Sequence, residues 1–208
     1  MSILALTSDT LIGTAAAGNI EYSSPIFTGT PVGTQRGIVP TQQYYRLNAD
    51  VVGLNATGAQ SVFGVGVTLS ASTVYEFEYY AVFSKSAGTT SHNFGIGFGG
   101  TSTVNNVLYG GVWNTTTTSY TAGTVASPAS LDSNSTSNFN VLTAITSAGR
   151  TIYFYLRGTV SINAGGTFIP QYTLSAAPGG AYSTVTGSYF RINPLSASGA
   201  ATNVGTWA

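Results

Sequence analysis

The chain has no cysteine, one histidine and only twelve charged residues among 208, six of each sign. The missing cysteines exclude disulfides, thiolate metal sites and cysteine nucleophiles. The one histidine, His92, is the sole candidate base for a serine or threonine nucleophile. It stands in Ser91-His92-Asn93-Phe94 with no acidic residue nearby in sequence, so it reads as a turn or interface histidine rather than a catalytic one. Six acids are a thin supply for a zinc site, and neither a metal nor a cofactor is expected. Six scattered Lys and Arg in a neutral chain of pI near 6.5 form no basic patch, which argues against nucleic acid as a partner. There is no apolar run of about 18 residues, so no membrane-spanning helix is expected. The start, Met1-Ser2-Ile3-Leu4, lacks a basic region and is not expected to act as a signal peptide.

What is abundant is hydroxyl and aromatic. About a quarter of the chain is Ser or Thr, well above ordinary usage. There are 26 Gly, 13 Tyr and 10 Phe, and the hydrophobic fraction is 43%. That hydrophobic content is ample for a core, and zero net charge argues against disorder. An ordinary domain has about a quarter of its residues charged, and those charges keep strand edges from pairing between molecules. At 6% charge the edges of this chain are expected to be capped by other copies or by partners in a permanent assembly.

Hydrophobic periodicity points to an all-β chain, an antiparallel β-sandwich or jelly roll over residues 41–208 preceded by an extended amino-terminal arm over residues 1–40. The arm is punctuated by Gly and Pro, with short strands expected near Ile20-Glu21-Tyr22 and Ile26-Phe27-Thr28. Residues 62–69 alternate small and bulky side chains as one strand would. The clearest strand covers residues 73–84, with Tyr75, Phe77, Tyr79, Ala81 and Phe83 on the core face and Glu76, Glu78 and Tyr80 on the wetter one. Further strands are expected at 94–98, 107–113, 139–145, 151–162, 168–174 and 188–195. Residues 115–138, rich in Thr, Ser and Asn, read as a long surface loop with a short strand near Tyr120.

Three motifs invite functional readings. Glu76 and Glu78 share a strand face about 6–7 Å apart, a spacing compatible with carboxylate chemistry on a glycosidic bond. The simpler reading is a polar strand face paired with Arg157, Arg150 or Lys85 on a neighbour. Gly95-Ile96-Gly97-Phe98-Gly99-Gly100 matches the glycine spacing of a dinucleotide-binding turn, but Thr101-Ser102-Thr103 leads into another strand instead of a helix. It therefore reads as a strand packed closely on a neighbour and ending in a turn. The pairs Tyr44-Tyr45, Tyr79-Tyr80 and Tyr153 with Tyr155 suit either a sugar platform or a subunit boundary, and the boundary is the better reading. Arg36, Arg46, Arg157 and Arg191 are each expected to hold a fixed partner.

The series Gly18-Asn19-Ile20-Glu21-Tyr22, Ile26-Phe27-Thr28-Gly29-Thr30 and Gln35-Arg36-Gly37 resembles the segment preceding the terminal domains of tailed-bacteriophage fibre and virion-surface proteins, cyanophage types in particular. Gly165-Gly166-Thr167-Phe168-Ile169-Pro170-Gln171, Gly187-Ser188-Tyr189-Phe190-Arg191-Ile192 and the closing Val204-Gly205-Thr206-Trp207 are similar to the same group. The resemblance implies a β-rich, non-enzymatic homotrimer on the virion. The expected role is a capsid cement or decoration protein contacting the major capsid protein, with a tail protein contacting a host glycan as the alternative. The absence of a shaft or collagen-like repeat favours the head. Contacts are expected through Ile20, Tyr22, Ile26, Phe27, Arg36, Tyr44 and Tyr45.

Overall fold

The computed structural model describes residues 7–9, 14–116 and 129–196, and every described element is a β-strand. The described residues of the arm, 7–9 and 14–40, hold the two short strands expected near Ile20 and Ile26, and a third. These are β1 (Ile20–Ser23), β2 (Ile26–Val32) and β3 (Gln35–Val39), which pair antiparallel as a three-stranded meander. Tyr22 stacks on Phe27 across the first pair, with centroids 4.3 Å apart. Glu21 and Arg36 form a largely buried ion pair, Nε to Oε2 at 2.7 Å. The meander is held near the rest of the chain where β2 approaches β16 (Tyr189–Ser196).

Residues 43–196 form two sheets packed face to face. The short strands come first: β4 (Gln43–Arg46), β5 (Val51–Val52), β6 (Gly58–Ser61) and β7 (Val67–Leu69). The long ones follow: β8 (Thr73–Lys85), β9 (His92–Gly99) and β10 (Thr103–Thr116). Next come β11 (Ala129–Ser133), β12 (Phe139–Ile145), β13 (Arg150–Ala164), β14 (Gly166–Leu174) and β15 (Ser183–Thr184), and β16 closes the fold. The larger sheet has eight strands, running β4, β16, β8, β13, β10, β11 across its width, with β15 and β5 continuing from the far end of β8. The smaller sheet runs β12, β9, β14, β6, with β7 also on β14.

Between the sheets lies an aromatic core. Phe77 on β8 meets Phe98 on β9 at 5.2 Å, while Phe83 meets Phe94 at 5.1 Å and Tyr172 at 5.3 Å. The alternation read for residues 73–84 holds: Tyr75, Phe77, Tyr79, Ala81 and Phe83 are all buried. The glycine run 95–100 is a strand and a turn. A Cβ on Gly97 would lie 2.7–2.9 Å from Asn138, and Gly100, at φ +118°, turns the chain against the Thr167 carbonyl.

Several expectations are corrected. Residues 62–69 are not one strand, because Gly64 takes φ +72° and breaks the ladder, leaving only β7; Val62 and Phe63 are both buried. Of the expected loop 115–138, β10 takes the start and β11 forms within it; Tyr120 lies outside the described residues. Among the described residues no helix is long and apolar enough to cross a membrane.

Candidate functional site

The two faces of the eight-stranded sheet carry very different residues. One is the aromatic core; the other, the outer face, gathers six of the chain's twelve charges: Arg46, Glu76, Glu78, Asp132, Arg157 and Arg191. Cross-strand register places them in rows. One row reads Arg46, Tyr189, Tyr80, Tyr155, Val112 from β4 to β10. The next reads Tyr44, Arg191, Glu78, Arg157, Gly110, Asp132, and the third Asn193, Glu76, Thr159, Leu108. Alternation along each strand puts all three rows on the same side.

Glu78 sits at the centre. Its carboxylate accepts hydrogen bonds from the Tyr189 hydroxyl at 2.7 Å, the Tyr155 hydroxyl at 2.9 Å and the Arg191 guanidinium at 2.5 Å. Burial opposes ionisation of Glu78, but the donors from Tyr189, Arg191 and Tyr155 outweigh it and hold the carboxyl below its usual range. The same bond, helped by burial, pushes the Tyr189 hydroxyl up to about 12, and Tyr155 is raised for the same reasons. Both tyrosines therefore stay protonated at neutral pH. Tyr44 stacks on Tyr189 at 5.3 Å and Tyr189 on Tyr80 at 5.9 Å, so the network is braced by rings.

Chemically, Glu78 is an ionised acceptor already holding three donors, which suits positioning and not proton delivery. Its ion partner is Arg191 on β16, not Arg157, Arg150 or Lys85, even though Arg157 stands opposite in register. Of the four arginines expected to hold partners, Arg36 and Arg191 do; Arg46 and Arg157 make no side-chain hydrogen bond or ion pair among the described residues. Beside Glu78 opens a cleft of about 380 Å³ lined by Pro40, Gln42, Glu76, Arg157, Arg191 and Asn193.

His92 belongs neither to a turn nor to a surface. It is buried at the start of β9, where its Nδ1–H donates to the Thr90 carbonyl at 2.7 Å and its Nε2 accepts from the Tyr182 hydroxyl at 3.0 Å. Burial holds its pKa below the usual value, aided by the nearby charges of Lys85 and Arg150. Both ring nitrogens are engaged in the core, with no nucleophile on either. No group of three His, Cys, Asp or Glu among the described residues could hold a metal ion.

The residues expected to make contacts divide in two. Ile26 is buried and Arg36 is tied to Glu21, so both serve the meander itself, and Tyr22 and Phe27 stack on each other; Ile20 is exposed. Tyr44 and Tyr45 are 54% and 45% exposed on β4, at an open edge of the sandwich. There, among the described residues, β4 pairs only with β16 and β7 only with β14. Between these two free edges lies an apolar cleft of about 380 Å³ bounded by Tyr45, Phe63, Val65, Pro170, Phe190 and Ile192. Periodicity did not mark this cleft, because Phe63 and Val65 lie in an irregular segment. The signal that did exist was the scarcity of charge on the flanking strands, where Arg46 is the one charged residue. Comparison of the chain with family models, curated proteins and solved structures finds no match in any of the three.

Proposed function

We propose that this chain is a non-enzymatic structural protein of a tailed-phage virion, a homotrimeric cement or decoration protein that bridges neighbouring capsid subunits. The observation that carries the assembly reading is the open edge of the sandwich. Two strands with unpaired backbone, β4 and β7, flank an apolar cleft, and the only charge on either is Arg46. A free β-protein blunts such edges with charge, bulges or cover. Here a second chain completes them, burying Tyr45 and Val65 and satisfying the edge amides.

The non-enzymatic reading rests on chemistry. Glu78, the acid beside Glu76, is ionised and held by three donors, and His92 is consumed by the core. The phage address rests on the motif series of residues 18–37 and 165–192. The meander of residues 20–39 supplies a compact second contact element, linked to the sandwich by a short segment.

The test is removal of residues 1–40, a cut after the last meander strand. The shortened chain keeps its melting transition and loses binding to capsids stripped of this protein. Undiminished capsid binding by the shortened chain would sink the role given to the meander, and failure of the full chain to bind stripped capsids would sink the cement reading. A monomeric full-length chain at micromolar concentration in sedimentation velocity would sink the trimer.

A further inference from the structure

We propose that the cleft beside Glu78 on the outer face of the eight-stranded sheet is a binding site for a neutral oligosaccharide. Most of the lining lies in mid-sheet, where the backbone groups of β8, β13 and Arg191 are already spent on the strand ladder, and Asn193 stands on β16 just past the end of its pairing with β4. Whatever binds over Glu76, Glu78 and Arg157 is read by side chains, which favours a ligand that is itself dense in hydroxyls.

The side chains available are the right kind. Glu76, Arg157, Gln42 and Asn193 line the cleft and make no side-chain hydrogen bond among the described residues. They offer a carboxylate acceptor, a guanidinium fork and two amides that both donate and accept. A carboxylate and a guanidinium each span the two oxygens of a vicinal diol. Glu78 and Arg191 complete the lining, so two cations face two anions and the cleft has no net charge. That balance matches a neutral ligand; a sulfated, sialylated or nucleotide ligand would call for excess positive charge.

Aromatic surface flanks the polar groups. Tyr155, 37% exposed, stands beside Arg157 on β13, and Tyr44, 54% exposed, is opposite Arg191 in register. Each offers an apolar ring against which the C–H face of a pyranose packs. The Glu78 network fixes Tyr155 before any ligand arrives, and preorganisation lowers the ordering cost of binding. A cleft of about 380 Å³ falls within the roughly 300–1,000 Å³ typical of small-ligand sites.

The experiment is an array of neutral and anionic glycans probed with the full chain, followed by calorimetric titration with maltoheptaose, cellohexaose and mannohexaose, and with a heparin hexasaccharide as the anionic arm. The expected result is retention on neutral glycans and a Kd of about 1 mM or tighter for at least one neutral probe. Arg157→Met, Glu76→Gln and Tyr155→Ala each weaken that binding at least about tenfold, while Tyr45→Ala at the open edge leaves it unchanged. Glu76→Gln and Arg157→Met break no bond of the folded chain, so their melting temperatures stay at the parent value and separate lost binding from lost fold. The proposal is overturned by no retention on any neutral glycan, by selective binding of the heparin probe, or by binding that all three substitutions leave intact.

Discussion

Lys85 ends β8 with its ammonium inside the protein, 4% exposed, and no carboxylate within ion-pair distance among the described residues. Its Nζ donates to the carbonyls of Ser147 at 2.7 Å and Gly88 at 2.8 Å, with Ala87 and Ala148 at 3.3 and 3.4 Å, and lies 5.8 Å from the Tyr182 ring centre. One side chain thus ties the β8–β9 connection to the β12–β13 connection. Lys85→Met keeps the length and removes the donor. Hydrogen bonds to a charged group contribute about 1.5–3 kcal/mol each, so losing the two short ones costs about 3–6 kcal/mol. Relief of the buried charge offsets part of that. A net loss of about 2–3 kcal/mol lowers Tm by about 4–12 °C for a chain of this size. Thermal and urea unfolding of Lys85→Met, with Arg46→Met as an exposed control, measure it. A Lys85→Met protein as stable as the parent would refute the reasoning, because it would mean that burying the ammonium costs as much as the four carbonyls return.

Two further predictions address the outer face and the smaller sheet. The Glu78 carboxyl is held below its usual range in the folded chain, so its contribution is present above the unfolded value of about 4.3 and is lost as pH falls through the folded value. Urea midpoints measured from pH 7 to pH 2 therefore fall less steeply in Glu78→Gln than in the parent. Equal slopes would mean that the tyrosine and arginine donors do not act on Glu78 in solution. Gly97→Ala places a methyl against the backbone of Asn138 and destabilises by about 1–3 kcal/mol, read from the urea midpoint; an unchanged midpoint would show that the 138 segment yields freely.

The sequence was most readable where a strand is long and half-buried. Along β8 every second residue faces the core, and the same alternation located β9, β10, β12, β13, β14 and β16. Short strands escaped it. β5 and β15 have two residues each, too few for a period; β15 exists because β8 offers it an edge, and β5 because β15 does. The meander was half legible: Ile26 and Thr28 alternate as a strand should, but the partner β3, Gln35–Val39, has little hydrophobic signature of its own. At the outer face, the sequence identified Glu76, Glu78 and the tyrosines as neighbours along their strands. It could not show that Arg191, 113 residues from Glu78, would be the ion partner, because that depends on β16 pairing with β8. His92 was misplaced for a similar reason, since Tyr182, its hydrogen-bond donor, lies 90 residues away.

The measurement that bears most directly on the proposed role is the copy number of this chain in purified virions, by quantitative mass spectrometry against the major capsid protein. A cement protein is present on the order of hundreds of copies, in fixed ratio to the capsid lattice, because only the head offers that many equivalent sites. A few to a few dozen copies would contradict the cement reading and move the chain to the tail or a single vertex, and its absence from virions would contradict the virion assignment altogether.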